Sequence, residues 1–200
     1  QIESGQYDQA LLILQESLEI FQEFQHDIDI SNCYYGIGHV LRNKEQYEEA
    51  LANYRKALEI CREIHGENDR RTYGCYEAIG NVLGDQGRCD DAFIGYGKAL
   101  AIRLNLIGEQ HPETANTYFN IGISQLKKGD YDGALISLEK TKAIFTRELG
   151  VEHPQTVKTN NFIDYCHQCM DSSSKAAQLA QLQRTQSKTN NDPRSLLLDE

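Results

Sequence analysis

Four segments of the chain are variants of one another: Gly-Gln-Tyr-Asp-Gln-Ala-Leu at 5–11, Glu-Gln-Tyr-Glu-Glu-Ala-Leu at 45–51, Gly-Arg-Cys-Asp-Asp-Ala-Phe at 87–93 and Gly-Asp-Tyr-Asp-Gly-Ala-Leu at 129–135. Their third residues, Tyr7, Tyr47, Cys89 and Tyr131, lie 40, 42 and 42 residues apart. Two other landmarks keep the period: Ile37-Gly38, Ile79-Gly80 and Ile121-Gly122, then Thr72, Thr114 and Thr156. A period of this length marks stacked supersecondary units, each burying its apolar face against its neighbours.

Each unit reads as two helices. In the third, a first helix runs from about Pro112 to Lys128, with Tyr118, Ile121, Gly122 and Gln125 at helical spacing. Proline suits a first turn, where its missing N–H costs nothing. Lys127-Lys128-Gly129 fits a helix end, and Asp130 can cap the next helix, about Tyr131 to Glu148, which Gly150 stops. Gly38, Gly80 and Gly122 in the first helices, and Ala50, Ala92 and Ala134 in the second, are expected where paired helices touch. Cys33, Cys75 and Thr117 share a register and read as small buried residues. With three prolines and no strand-like runs, the chain is expected to be all-α.

Lys plus Arg number 20 against 30 Asp plus Glu, a net charge of −10. That balance argues against nucleic acid and against an anionic membrane surface, since phosphates call for a basic face. No apolar run reaches membrane-spanning length and no signal-peptide pattern opens the chain. Six cysteines in 200 residues are too sparse for a secreted disulfide framework, and no Asn-x-Ser/Thr acceptor is present, so a cytoplasmic setting is expected.

These residues resemble the tetratricopeptide repeat: an aromatic-x2-Leu-Gly pattern as Tyr118-x2-Ile121-Gly122, and Ala-x3-aromatic as Ala50-x3-Tyr54 and Ala92-x3-Tyr96. The 42-residue unit, with Gly-Glu-Gln-His-Pro-Glu-Thr-Ala at 108–115, is similar to the kinesin light chain type of repeat. The resemblance covers roughly residues 1–171 and implies a right-handed α–α superhelix. The expected organisation is a partial repeat at 1–27, full repeats at 28–68, 69–110 and 111–152, a partial repeat at 153–171 and a polar tail at 172–200. The first helix is expected at 6–24, with Gln1–Ser4 the stump of a missing one, and the tail as a weak helix over 173–187 followed by disorder. The chain thus reads as part of something longer, and with Leu11, Leu12, Leu14, Leu18 and Phe21 at its uncovered end it is expected to self-associate there or to fray there.

Two motifs invite a chemical reading. Cys166-His167-Gln168-Cys169 has metal or redox spacing, but no second pair completes a tetrahedral site and no βαβ context surrounds it. His111-Pro112 and His153-Pro154 recur with the period, which fits a structural turn better than acid–base chemistry. No phosphate loop, nucleophile elbow or kinase signature is present, so neither catalysis nor a cofactor is expected.

The resemblance implies a concave groove lined by the first helices. Carried over by register, its positions are Asn32, Tyr35, Gly36 and His39, then Gly74, Glu77, Ala78 and Asn81, then Asn116, Phe119, Asn120 and Ile123, and finally Lys158, Asn161, Phe162 and Tyr165. Amides there can bond a peptide backbone and aromatics can bury its side chains. Some members grip a terminal carboxylate with Lys, Arg and Asn; the matching Tyr35, His39, Ala78, Asn116 and Asn120 include no cation, which speaks against such a clamp and against a basic groove for acidic cargo. The expected function is a non-catalytic scaffold for a peptide or partner helix. The alternative is a regulatory or substrate-docking segment of a larger enzyme, an NTPase, protease or ADP-ribosyltransferase.

Overall fold

The computed structural model describes residues 2–190, and among them are eight helices and no strand. They are α1 (Ile2–Glu23), α2 (Asp27–Asn43), α3 (Tyr47–His65), α4 (Arg70–Asp85), α5 (Cys89–Leu106), α6 (Pro112–Lys128), α7 (Tyr131–Leu149) and α8 (Pro154–Asn190). Each helix packs on the one before and the one after it, while α2 also touches α4 and α4 touches α6. The result is a right-handed solenoid of antiparallel pairs.

The period follows from packing. A Cβ at Gly38 would lie 2.9 Å from the Tyr54 ring, one at Gly80 2.8 Å from Tyr96 and one at Gly122 2.9 Å from Leu138. These three contacts are one contact in three copies, which is why each first helix carries glycine there. Ala50, Ala92 and Ala134 answer from the second helices and are wholly buried. Cys33, Cys75 and Thr117 are buried too, as their shared register implied.

The threonine landmark is a loop tie. Thr72 donates to the Gly66 carbonyl at 2.8 Å, Thr114 to Gly108 at 2.7 Å and Thr156 to Gly150 at 2.8 Å. Each of these glycines has a φ between +82° and +96°, the left-handed region where a side chain is strained. The histidines of the His-Pro pairs are caps: His111 Nδ1 accepts from the Glu113 N–H at 3.1 Å and His153 Nδ1 from the Gln155 N–H at 3.3 Å. Thr114→Val keeps the shape and removes one such tie. It should cost about 0.5–1.5 kcal/mol, with Thr72→Val and Thr156→Val alike; thermal midpoints unchanged in all three would show that the bonds do not hold the loops.

Two ends differ from expectation. α1 begins at Ile2, so residues 2–4 continue that helix and are not the stump of another. Gly5 weakens a helix by only about 1 kcal/mol, too little to stop it. α8 runs unbroken through Asn190, past the compositional change near 171. No Pro or Gly stands between Gln155 and Asn190, so nothing ends propagation there. The rest of the expected disordered tail, 191–200, lies outside the described residues. On α1 the apolar set divides: Leu11, Leu14 and Leu18 pack on the core, while Leu12, Ile13 and Ile20, and Phe24 just after the helix, are each more than half exposed.

Candidate functional site

Gly74 stands at the register that holds Asn32 and Asn116 in the adjoining repeats. A Cβ there would meet no heavy atom within 4 Å. Gly74 borders a cleft of about 460 Å³ between α2 and α4. Asn32 and Tyr35 line it from α2, Glu77 from α4, Arg103 from α5 and Glu113 from α6, with Arg70 and Arg71 at the start of α4. Ser31, Cys61 and Cys75 are its most buried lining residues.

Arg103 organises the middle of this surface. Its guanidinium donates from Nη1 and Nη2 to the two Glu77 carboxylate oxygens at 2.9 and 2.8 Å, bonds Thr117 Oγ1, and lies 4.4 Å from the Tyr73 ring centre. The side chains of Arg103 and Glu77 are only 7% and 16% exposed. Burial works against the guanidinium charge, but the Glu77 bonds more than offset it, so the Arg103 pKa stands above its ordinary value. Arg103 Nε is buried with no partner among the described residues. Asn120 Nδ2 donates to Glu77 Oε1 at 3.3 Å and to Asn81 Oδ1 at 3.4 Å, and the Tyr96 hydroxyl donates to Asn81 Oδ1 at 2.9 Å. At the cleft edge the Tyr73 hydroxyl donates to Glu113 Oε2 at 2.6 Å and Arg70 pairs with Glu113 Oε1 at 2.9 Å. The Tyr73 hydroxyl above all, then Arg70, holds the Glu113 carboxyl below the usual range against the opposing effect of burial.

Two smaller depressions continue the surface. One, about 120 Å³, brings Asn81, Asn120 and Ile123 together with Arg42, Asp85 and Lys127. The other, about 210 Å³, gathers Asn116, Phe119 and Asn120 with Gln155 and Lys158. There Phe119 and Phe162 meet edge to face with centroids 5.5 Å apart, and Lys158 Nζ stands 5.2 Å from the Phe119 centroid. Of the expected groove residues, Asn32, Tyr35 and Glu77 therefore share the cleft, and Asn81, Asn116, Phe119, Asn120 and Ile123 line the depressions. His39 and Asn161 are exposed and line none of these hollows. Cys166 is wholly buried among Ala134, Leu138 and Ile163.

Register carry-over missed Arg103, Tyr73, Arg70, Glu113, Cys61 and Cys75. The resemblance put the groove on the first helices, yet Arg103 and Cys61 reach it from second helices. A signal for them existed as departures from the repeat. Positions 61, 103 and 145 read Cys, Arg and Phe; positions 35, 77 and 119 read Tyr, Glu and Phe; position 74 is Gly between two Asn. The surface offers amide and hydroxyl hydrogen bonds, aromatic faces and paired charges, a set suited to binding.

A family model described as tetratricopeptide repeat matches residues 29–93 and 72–141, together more than half of the chain. No curated protein matches significantly. Among solved structures, BtubC (BKLC) from P. vanneervenii is similar over 95% of this chain and 77% of its own, at 21% identity and a TM-score of 0.77. A Podosopora anserina protein described as kinesin light chain, with nearly identical TPR-like repeats, matches 95% of this chain and 91% of its own at 16% identity and a TM-score of 0.72. A Rap protein complexed with Competence and Sporulation Factor matches 88% of this chain but 48% of its own, at 19% identity and a TM-score of 0.67.

Proposed function

The chain belongs to the tetratricopeptide repeat family, and from that premise we propose that it is a non-catalytic scaffold binding a peptide or partner helix along the α2–α4–α6–α8 face. The observation that carries this reading is the run of hollows along one face, where amides stand beside aromatic rings. An extended peptide presents backbone N–H and C=O groups to such amides and apolar side chains to such rings. The likeness to a Rap protein complexed with Competence and Sporulation Factor supports a binding role. A cytoplasmic setting is part of the proposal; no helix among the described residues is long and apolar enough to cross a membrane.

Affinity capture followed by substitution tests the reading. Asn116 lines the 210 Å³ depression. Asn116→Ala should weaken a captured partner by about 1–3 kcal/mol. Asn120→Ala should weaken it further, though Asn120 also bonds Glu77 and Asn81, so its thermal midpoint must be followed alongside. Binding that survives the double substitution would put the partner elsewhere on the solenoid.

A further inference from the structure

Cys61, near the end of α3, and Cys75, in α4, pack together with Ala57 in one buried cluster. Both line the cleft that Gly74 borders, although they are only 3% and 1% exposed. The repeat explains the meeting. Cys61 shares its register with Arg103, and Cys75 with Thr117, and in the next repeat those two side chains are hydrogen-bonded. The same junction between repeats thus carries an arginine–threonine contact in one copy and two thiols in the other.

We propose that Cys61 and Cys75 are a reactive dithiol that a hydroperoxide, entering through the Gly74 cleft, converts to a disulfide joining α3 to α4. Cys61 is the attacking sulfur. Its pKa is lowered, first by the neighbouring Cys75 thiol and then by Ser31 and the Arg71 charge, against the opposing effects of burial and Asp69. The Cys61 thiol donates to Ser31 Oγ at 3.8 Å, and the Ser31 hydroxyl donates to the Ile28 carbonyl at 2.8 Å; once Cys61 has lost its proton, that hydroxyl must turn from Ile28 to donate to sulfur. The neighbouring Cys61 sulfur and burial push the Cys75 thiol up.

In the first step the Cys61 thiolate attacks the terminal peroxide oxygen. The O–O bond breaks, an S–O bond forms, and the departing hydroxide or alkoxide takes a proton to leave as water or alcohol. In the second step Cys75 loses its proton and its sulfur attacks Cys61. The S–S bond forms, the S–O bond breaks, and the hydroxyl leaves with that proton as water. Two electrons pass from the two thiols to the peroxide.

Peroxide treatment of the full chain, alkylation of remaining thiols and peptide mapping test this. The expected product is a Cys61–Cys75 disulfide with Cys33 still free, since burial raises the Cys33 pKa. Cys61 should react about ten-fold faster than Cys33. Cys75→Ser should leave a sulfenic acid at Cys61 that dimedone captures, and Gly74→Asn, by filling the opening, should slow the reaction several-fold. Half-exposed Cys89 controls for simple access. Oxidation of Cys89 ahead of Cys61, scrambled pairing with Cys33, or no dimedone adduct in Cys75→Ser would each overturn the proposal. The mapping of the unsubstituted chain decides even if a variant folds poorly.

Discussion

Arg103→Met should destabilise the solenoid by about 3–5 kcal/mol. The substitution keeps most of the side-chain volume but strands the Glu77 carboxylate, which is 16% exposed and held by both terminal guanidinium nitrogens. Asn120 reaches Glu77 Oε1 only at 3.3 Å, so it replaces little of what is lost. Thr117 Oγ1 loses a donor and the Tyr73 ring loses its cation at the same time. Removing both charges is a different matter, because a buried pair is often no better than apolar residues of similar shape. Arg103→Met combined with Glu77→Leu should therefore recover most of the loss. Urea midpoints for the two single variants and the double variant form the cycle. A single Arg103→Met variant as stable as the parent would mean that water reaches Glu77 and that the pair is a surface contact.

Gly80→Leu should cost about 1–3 kcal/mol, which at this chain length moves the thermal midpoint by several degrees. A Cβ at Gly80 would come within 2.8 Å of the Tyr96 ring. Tyr96 is buried and its hydroxyl is engaged by Asn81, so the ring cannot swing away without losing that bond. The facing side is no freer: a Cβ at Gly95 would meet the Tyr76 carbonyl oxygen at 3.0 Å and the Gly80 Cα at 3.2 Å, both backbone atoms. Here α4 and α5 approach backbone to backbone, and the added side chain must push the pair apart. Ala92→Leu attacks the same contact from α5, where Ala92 is wholly buried. Melts unchanged by both substitutions would show that the small residues are not what sets the spacing.

Both effects arise at one junction, yet they differ in how far the sequence foretold them. Gly80 and Ala92 recur with the 42-residue period, and a contact made in every unit leaves its mark in every unit. The helix pairs, the all-α class, the His-Pro turn and the glycine stops were legible for the same reason, being local patterns printed more than once. The inclusion of residues 2–4 in α1 and the continuation of α8 past 171 were not, because both follow from the lack of any stop signal and not from the presence of a pattern.

The cleft belongs to the other kind. Arg103 meets Glu77 across 26 residues and Thr117 across 14, while Asn120 meets Glu77 across 43. Each contact joins different helices, so no helical spacing encodes it. Register alone predicted a groove without cations at its clamp positions; the stacking of α5 beneath α4 and α6 delivers Arg103 there from behind. The sequence by itself determined the period, the paired helices and the small residues that let them close. The tertiary structure alone decided which departures from the period meet: Gly74 bordering a cleft, Arg103 beneath it beside Glu77, and two thiols at its base. A repeat averages over its copies, and the residues that make one copy different become a site only when stacking brings them to the same place.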